Sequence, residues 1–444
     1  MGSVIHAYRH HPFHHPGPLS QELVGGWLGV TQAQLSRIEH GGAIRDLDKL
    51  VHWAQILRIP ARHLWFDLPR ERRGVSLPNG SWDKAVGPER PLLMTEWTPE
   101  SAASLMEMVA LDDAVEITPA LAIRLAHEWL VSESPQVIEV RAGRQIGAGL
   151  IRTVERRVEQ LRRMDDFIGG NDLYELVEKE LRATTYLLQE ASYGETLGKR
   201  LLTTVGELCQ LAGWTAADAG LSSAAQRYYA GGIHAAHAAE DVPLAANLIS
   251  LMSYLYSNVG NPREAVLLAH TAYAGAKHRS SATTQALLQE RIAWAHARAG
   301  DLRQTERALG EADLAYGQRN ASDDPAWVYW LNRDEMDVMA GRCYTELRQP
   351  KQAEPLLRRV LDHYNEGFTR ETLLYSSWLA ESYVQTEDID EAVMQATRAL
   401  VLSTRVNSSR GKERVQLLQQ RLGLYPHVKS VREFERMCRE LGEE

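Results

Sequence analysis

Apolar residues recur three and four positions apart along most of the chain beyond residue 100. Ile151, Val154, Val158 and Leu161 form one such stripe, with charged residues between them. This is the period of an amphipathic α-helix that buries one face against a neighbour. No segment shows a convincing alternation of the kind that is typical of a strand, although residues 137–149 are the least clear. The pattern therefore predicts an all-α protein.

Small side chains recur at regular distances from about residue 200 onward. Separations of 40, 40, 48 and 39 residues relate the equivalent positions Ala225, Ala265, Thr305, Ala353 and Ala392. Twelve residues before each of them stands another small residue, the first being Gly213. Small residues at both points let the two helices of a hairpin cross closely. The spacing predicts a stack of helical hairpins, an α-solenoid, over residues 201–444, with the helices after about residue 408 as its cap.

Proline and glycine divide the 444 residues. Nine of the 17 prolines come before residue 100, and residues 69–99 are punctuated by proline and glycine in the manner of a linker. We therefore expect one domain over residues 1–68, a linker over 69–99, and a helical connecting or dimerisation region over 100–200. Whether that region continues the solenoid is left open by the pattern.

The first domain carries regular helix signals. Ser20 and Thr31 are placed to cap two successive helices, and Gly29 is placed to make the tight turn between them. A fourth helix begins near Asp46, and a short fifth helix is predicted over residues 61–66. Residues 32, 34, 36 and 37 point away from the predicted core at helical spacing.

This arrangement resembles the helix-turn-helix domain of the Xre and lambdoid-repressor family, over about residues 3–68. The resemblance implies that residues 31–39 form a recognition helix that lies in the major groove of double-stranded DNA. Glutamine near the start of such a helix can bond adenine through two contacts, and arginine can bond guanine or a phosphate. The expected DNA-binding residues are Gln21, Thr31, Gln32, Gln34, Ser36 and Arg37.

The repeated positions resemble the tetratricopeptide repeat, in which the first helix of each hairpin lines a concave groove. Amide and guanidinium side chains there suit the backbone of an extended peptide, and tryptophan and tyrosine supply pockets for its side chains. The alternative is an ordinary solvated or self-packed face. The expected groove residues are Gln210, Trp214, Asn247, Ser250, Tyr254, Asn258, Glu290, Trp294, Arg298 and Arg342.

Composition and charge narrow the function further. No motif of a hydrolase, metalloprotease or kinase occurs, so we expect no catalytic residue, cofactor or metal site. The widely spaced cysteines and the absence of a secretory signal or a long apolar stretch favour a cytoplasmic location without a membrane span. Residues 1–69 carry a net charge of +1 and the remainder −10. Any contact with DNA should therefore come from the first domain.

The whole chain resembles the long actinobacterial regulators that join an Xre-type domain to C-terminal tetratricopeptide repeats. In layout it is also similar to the peptide-pheromone receptors of Gram-positive bacteria. The resemblance implies a homodimeric transcriptional regulator that binds a palindromic operator. Its repeats would dimerise and sense a peptide, a small molecule or a protein partner. The alternative is a protein-interaction scaffold whose first domain no longer binds DNA.

Overall fold

The computed structural model describes residues 1–10, 18–42, 44, 46–57, 59, 64, 92–93, 96–110, 117–137, 143–363 and 368–442. These residues form twenty α-helices and four strands of two residues each, so the prediction of an all-α fold is confirmed. The helix predicted over 61–66 and most of the linker predicted over 69–99 lie outside the described residues. No helix within the described part of the chain is long and apolar enough to cross a membrane.

The first domain contains four described helices. They are α1 Gly2–Arg9, α2 Gln21–Trp27, α3 Gln32–Glu39 and α4 Leu47–Ile56. Both predicted caps are confirmed, because the Ser20 hydroxyl accepts from the backbone of α2 and the Thr31 hydroxyl from that of α3. Gly29 between them has φ +68°, the left-handed conformation that glycine adopts most easily. Ile5, Leu35 and other buried side chains form a separate small core.

Four helices and the four strands connect this first domain to the repeated region. The helices are α5 Pro99–Ala110, α6 Pro119–Val131, α7 Ala148–Met164 and α8 Gly170–Glu190. Strand β1 Glu96–Trp97 pairs in parallel with β2 Gln136–Val137, and β3 Arg144–Gln145 pairs in parallel with β4 Ala191–Ser192. These strands are absent from the sequence prediction because two residues are too few for an alternating pattern to appear.

The described residues from 195 onward form twelve α-helices that pair into hairpins. They are α9 Glu195–Asp218, α10 Ser222–Ala238, α11 Val242–Asn258, α12 Pro262–Ala276, α13 Ala282–Arg298, α14 Leu302–Gly317, α15 Arg333–Glu346, α16 Pro350–His363, α17 Thr369–Gln385, α18 Ile389–Ser403, α19 Ser409–Leu422 and α20 Lys429–Gly442. Each odd-numbered helix packs against the even-numbered helix that follows it, and α9, α11, α13, α15, α17 and α19 pack in succession. The five equivalent small residues from Ala225 to Ala392 are all the fourth residue of an even-numbered helix, and all are buried.

Close helix crossings explain the second set of small residues. A Cβ at Gly213 would collide with the ring of Tyr229, and a Cβ at Gly341 would lie 2.7 Å from Leu357. In a third hairpin, the Ser253 hydroxyl at this position donates to the Ala265 carbonyl at 2.7 Å. The small side chains therefore set the spacing within each hairpin.

The turns of these hairpins share one backbone conformation. The middle residue of the three-residue turn has positive φ in each of the first five hairpins. These residues are Gly220, Gly260, Gly300, Arg348 and Glu387. Glycine adopts this conformation at little cost, whereas a residue with a Cβ is strained by roughly 1 kcal/mol. The last two turns therefore have positive φ at Arg348 and Glu387, although residues with a Cβ disfavour this conformation.

The first domain packs through α1 and α2 against the connecting helix α6 and the repeated helix α12. Trp27 Nε1 donates to Thr271 Oγ1 of α12 at 3.4 Å, and its ring centroid lies 4.4 Å from that of His127 in α6. The Tyr8 hydroxyl of α1 also hydrogen bonds with His127. Ring contacts and hydrogen bonds thus join the core of the first domain to α6 and α12.

A glycine marks the closest point of this contact. Gly26 in α2 lies against the side chain of Leu267 in α12, and a Cβ at Gly26 would collide with it. Glycine inside a helix weakens that helix by about 1 kcal/mol relative to alanine. The close approach of Leu267 explains why a glycine is nevertheless suited to this position.

Candidate functional site

Helix α3 presents a polar face that the repeated helices do not cover. The side chains of Gln32, Gln34 and Arg37 are exposed, and Ser36 is half-buried. Leu35, on the opposite face, is fully buried in the core of the first domain. Because the contacts with α6 and α12 use α1 and α2, this polar face is left open to a partner.

The first turn of α3 is fixed by two reciprocal hydrogen bonds. The Gln34 amide N–H donates to Thr31 Oγ1 at 3.3 Å, and the Thr31 amide N–H donates to Gln34 Oε1 at 2.8 Å. This capping box satisfies two backbone donors of the helix end. It uses the side-chain oxygen of Gln34, so that side chain keeps only its amide nitrogen as a donor toward a partner.

Gln21 is held inside the first domain. Its Nε2 donates to Glu39 Oε2 at 2.7 Å, and Arg9 donates to both oxygens of the same carboxylate. Burial raises the pKa of Glu39, but the hydrogen bonds from Arg9 and Gln21 outweigh it and hold that pKa below its ordinary value. One amide N–H of the half-buried Gln21 is therefore used within the first domain, and its expected contact with DNA stays a prediction. Sequence reasoning missed this network because Arg9 and Glu39 are thirty residues apart.

A cavity of about 820 Å³ lies on the side of the repeats that the odd-numbered helices line. Nine of the ten expected groove residues border it. Ser250 does not, since it is fully buried and its hydroxyl donates to the Asn247 carbonyl at 2.7 Å. Its short side chain ends within its own helix instead of reaching the cavity.

Aromatic rings from successive hairpins form a ladder along the cavity. Trp214, Tyr254 and Trp294 occupy equivalent positions, and their neighbouring ring centroids are 6.3 and 6.2 Å apart. The equivalent position of the fourth hairpin is Arg342, whose guanidinium carbon lies 4.6 Å from the centroid of Trp294. Trp378 packs edge-on against Trp294 at 5.8 Å. The repeat alignment identified the ladder but missed Trp378, which occupies a different position in its hairpin.

Further arginines, which were not among the expected groove residues, also line the cavity. Arg291 lies next to the predicted Glu290, and its guanidinium carbon is 4.7 Å from the centroid of the Tyr254 ring. Arg410 and Arg414 come from α19, which was predicted only as part of the cap, and they lie over Trp214 and Trp378 at 5.0 and 3.7 Å. No local pattern marks these residues, because the curvature of the stack brings them to the cavity.

The cavity is bounded by contacts between the beginning and the end of the helical stack. Asp218 of α9 accepts from the Gly170 backbone and from the Ser408 hydroxyl, both at 3.0 Å. Asn171 Nδ2 donates to Asn407 Oδ1, also at 3.0 Å. These contacts join α8 and α9 to the segment before α19. The sequence led us to expect a concave groove, and in this structure the two ends of the stack meet at its border.

The charges around Tyr254 are unusual for a buried site. Burial raises the pKa of the Tyr254 hydroxyl, but nearby guanidiniums, led by that of Arg342, outweigh it and lower the pKa to about 7. Burial also raises the pKa of Glu290 to about 8, although the Arg291 guanidinium opposes the shift. The Glu290 carboxyl is thus largely neutral near neutral pH. Such an arrangement can bind a ligand through charge and ring contacts.

The two candidate sites differ in place and chemistry. The polar face of α3 offers exposed amide and guanidinium groups, as in Gln32 and Arg37. The cavity offers buried guanidiniums among aromatic rings. Comparison with protein-family models, curated proteins and solved structures gives no match to this chain.

Proposed function

We propose that this chain is a cytoplasmic, homodimeric regulator of transcription that binds a palindromic operator in double-stranded DNA. The proposal assigns the first domain to the Xre-like helix-turn-helix type and the repeated hairpins to the tetratricopeptide type. The observation that carries it is the open polar face of α3, which follows a capped turn at Gly29 and Thr31. An α-helix of this kind fits the major groove of B-DNA.

The exposed and the hydrogen-bonded side chains have different roles in the proposed binding of DNA. Gln32 and Arg37 are exposed and free to contact base edges or phosphates. Thr31 and Gln34 hold the start of α3 in place through the capping box. Gln21 supports α3 from the inside through Glu39. The proposal therefore places sequence selection mainly on Gln32 and Arg37.

The cavity is the proposed effector site. Because the first domain packs on α6 and α12, a change in the arrangement of the repeats would also move the recognition helix. In a dimer this movement would alter the distance between two half-sites, which is roughly 34 Å for successive turns of DNA. An effector has this consequence only if it binds one arrangement more tightly than the other.

Selection from random duplex DNA by the full chain, near physiological salt, tests the proposal. We expect enrichment of a two-fold symmetric motif, and loss of that enrichment in the Gln32→Ala, Arg37→Ala double variant. A double variant of exposed residues in the last two helices, Gln416→Ala with Arg436→Ala, serves as the matched control and should select the same motif. Failure to enrich any motif, with or without cell extract, would favour the scaffold alternative.

A further inference from the structure

We propose that the cavity binds a small organic anion, a carboxylate or phosphate joined to an aromatic group, through Arg291 and Arg342. This inference deepens the proposed function, since it names the chemical class of the effector. It depends on the geometry of the cavity and on no property of α3. The two proposals can therefore fail independently.

Two guanidiniums in the cavity lack a carboxylate partner within the described part of the chain. Arg291 is only 4% exposed, and its Nε has no hydrogen-bond partner. Arg342 donates one hydrogen bond, from Nη2 to the Tyr254 hydroxyl at 2.8 Å, and its Nε also lacks a partner. Burying an arginine without an acceptor is costly, so these groups are suited to an acceptor that arrives with a ligand.

Three other arginines of the cavity are already paired with a carboxylate. Arg298 pairs with Glu346 at 2.5 Å, Arg370 with Asp165 at 2.9 Å, and Arg414 with Glu381 at 2.7 Å. Arg291 and Arg342 differ from these three, because Arg291 lies over the ring of Tyr254 and Arg342 donates to its hydroxyl, and neither has a carboxylate partner among the described residues. The charges of Arg291 and Arg342 therefore lie beside the middle ring of the aromatic ladder.

Glu290 does not supply the missing negative charge. It is 1% exposed, and its Oε1 has no hydrogen-bond partner. Burial raises the pKa of its carboxyl to about 8, so the group is mostly protonated near neutral pH. A protonated carboxyl can donate a hydrogen bond to an anion instead of repelling it.

Size and lining favour a small aromatic ligand over a long peptide. A volume of about 820 Å³ is within the usual range for sites that bind small organic molecules. Ten aromatic side chains of tryptophan, tyrosine and phenylalanine border the cavity among the described residues. The contacts of Asp218 with Gly170 and Ser408 bound the cavity at the seam of the stack.

Calorimetric titration of the full chain with simple probes tests this inference. The probes are phenyl phosphate and benzoate, with inorganic phosphate as the anion without a ring and benzyl alcohol as the ring without charge. We expect one of the two aromatic anions to bind at least about tenfold more tightly than either control, since charge-assisted hydrogen bonds are the stronger kind. The better of the two identifies the anionic group as phosphate or carboxylate.

Two variants compare the effect of an arginine without a carboxylate partner with that of a paired arginine elsewhere in the cavity. Arg342→Gln should weaken binding of the aromatic anion about tenfold or more, whereas Arg298→Gln, whose charge is already paired, should change it less than about threefold. Circular dichroism establishes that both variants are folded. Equal effects of the two substitutions, or equal binding of benzyl alcohol, would overturn the proposal.

A measurement on the unaltered chain covers the case in which Arg342→Gln fails to fold. An anion on Arg291 and Arg342 should raise the pKa of Tyr254, so its tyrosinate absorbance at about pH 8 should fall on titration. Tyr254→Phe supplies the blank for the other tyrosines. An unchanged tyrosinate signal at a probe concentration that saturates the chain would contradict the proposal.

Discussion

Two buried arginines, one in each region of the molecule, have opposite surroundings. In the first domain, Arg9 donates to both oxygens of Glu39, whose side chain is 1% exposed. In the repeats, Arg291 is similarly buried and lies against the face of Tyr254, with no carboxylate that accepts a hydrogen bond from it among the described residues. The first arrangement closes a network and holds a helix. The second leaves a positive charge without an acceptor.

This difference separates a structural role from a binding role. A buried ion pair is costly to break because the remaining charge stays buried, whereas an unpaired buried charge already weakens the fold. The stack tolerates that weakness at the centre of a cavity, where a ligand can relieve it. Stability measurements on matched variants therefore distinguish the two regions.

The largest effect is expected at the paired arginine. Arg9→Met should lower the free energy of unfolding of the first domain by roughly 3–5 kcal/mol, because Glu39 remains buried without its cation. Arg291→Met should leave the stability of the repeats unchanged or raise it. Urea unfolding followed by tryptophan fluorescence measures both. Equal losses in the two variants would remove the distinction between the regions.

The next effect concerns pH and Glu290. In the folded state the pKa of Glu290 is about 8, above the ordinary value for a glutamate. At a pH between these two values, the folded state holds a proton that the unfolded chain has lost. The stability of the wild type therefore falls as pH rises through this window. The free energy of unfolding of Glu290→Gln minus that of the wild type should rise by up to roughly 4 kcal/mol between about pH 5 and about pH 8. A constant difference between the two urea midpoints would contradict this.

The contact between the two regions provides a third test. Gly26→Ala should destabilise the full chain by about 1–2 kcal/mol, because the new Cβ displaces Leu267. In a Leu267→Ala background the same substitution should be neutral or stabilising, since the clash is gone and alanine favours the helix. A double-mutant cycle by thermal unfolding gives the coupling. Additive effects would mean that the two side chains do not meet.

The smallest effects are expected in the hairpin turns. Gly300→Ala should cost about 1 kcal/mol, because the turn keeps its positive φ, while Arg348→Gly should gain about 0.5–1 kcal/mol at the equivalent position. Open space surrounds the Cβ position at Gly300, so no clash adds to its cost. Melting temperatures that move in the same direction for both variants would contradict the shared turn geometry.

Local patterns in the sequence sufficed to predict much of the fold. The caps at Ser20 and Thr31, the turn at Gly29, and the small residues such as Gly213 act within one or two neighbouring helices. Their signals are therefore contained in short stretches of chain. The same is true of the ladder of Trp214, Tyr254 and Trp294, whose members repeat with the hairpin.

Contacts between distant segments left no such signal. The packing of Trp27 on Thr271 joins residues that are 244 positions apart, and Asn171 meets Asn407 across 236 positions. Neither pair follows a period that a single sequence reveals. For this reason the sequence indicated neither the packing of the first domain on α12 nor the contacts that bound the cavity. The unpaired state of Arg291 is likewise a property of the assembled stack.

The most direct test of the proposed function is the affinity of the full chain for its selected duplex and for a scrambled duplex of the same composition. Fluorescence anisotropy at several salt concentrations gives both values. We predict that Gln32→Ala weakens binding to the selected duplex by about tenfold, a loss of roughly 1–3 kcal/mol, and leaves binding to the scrambled duplex unchanged. Equal affinity of wild type and variant for the selected duplex would contradict the claim that the polar face of α3 recognises DNA.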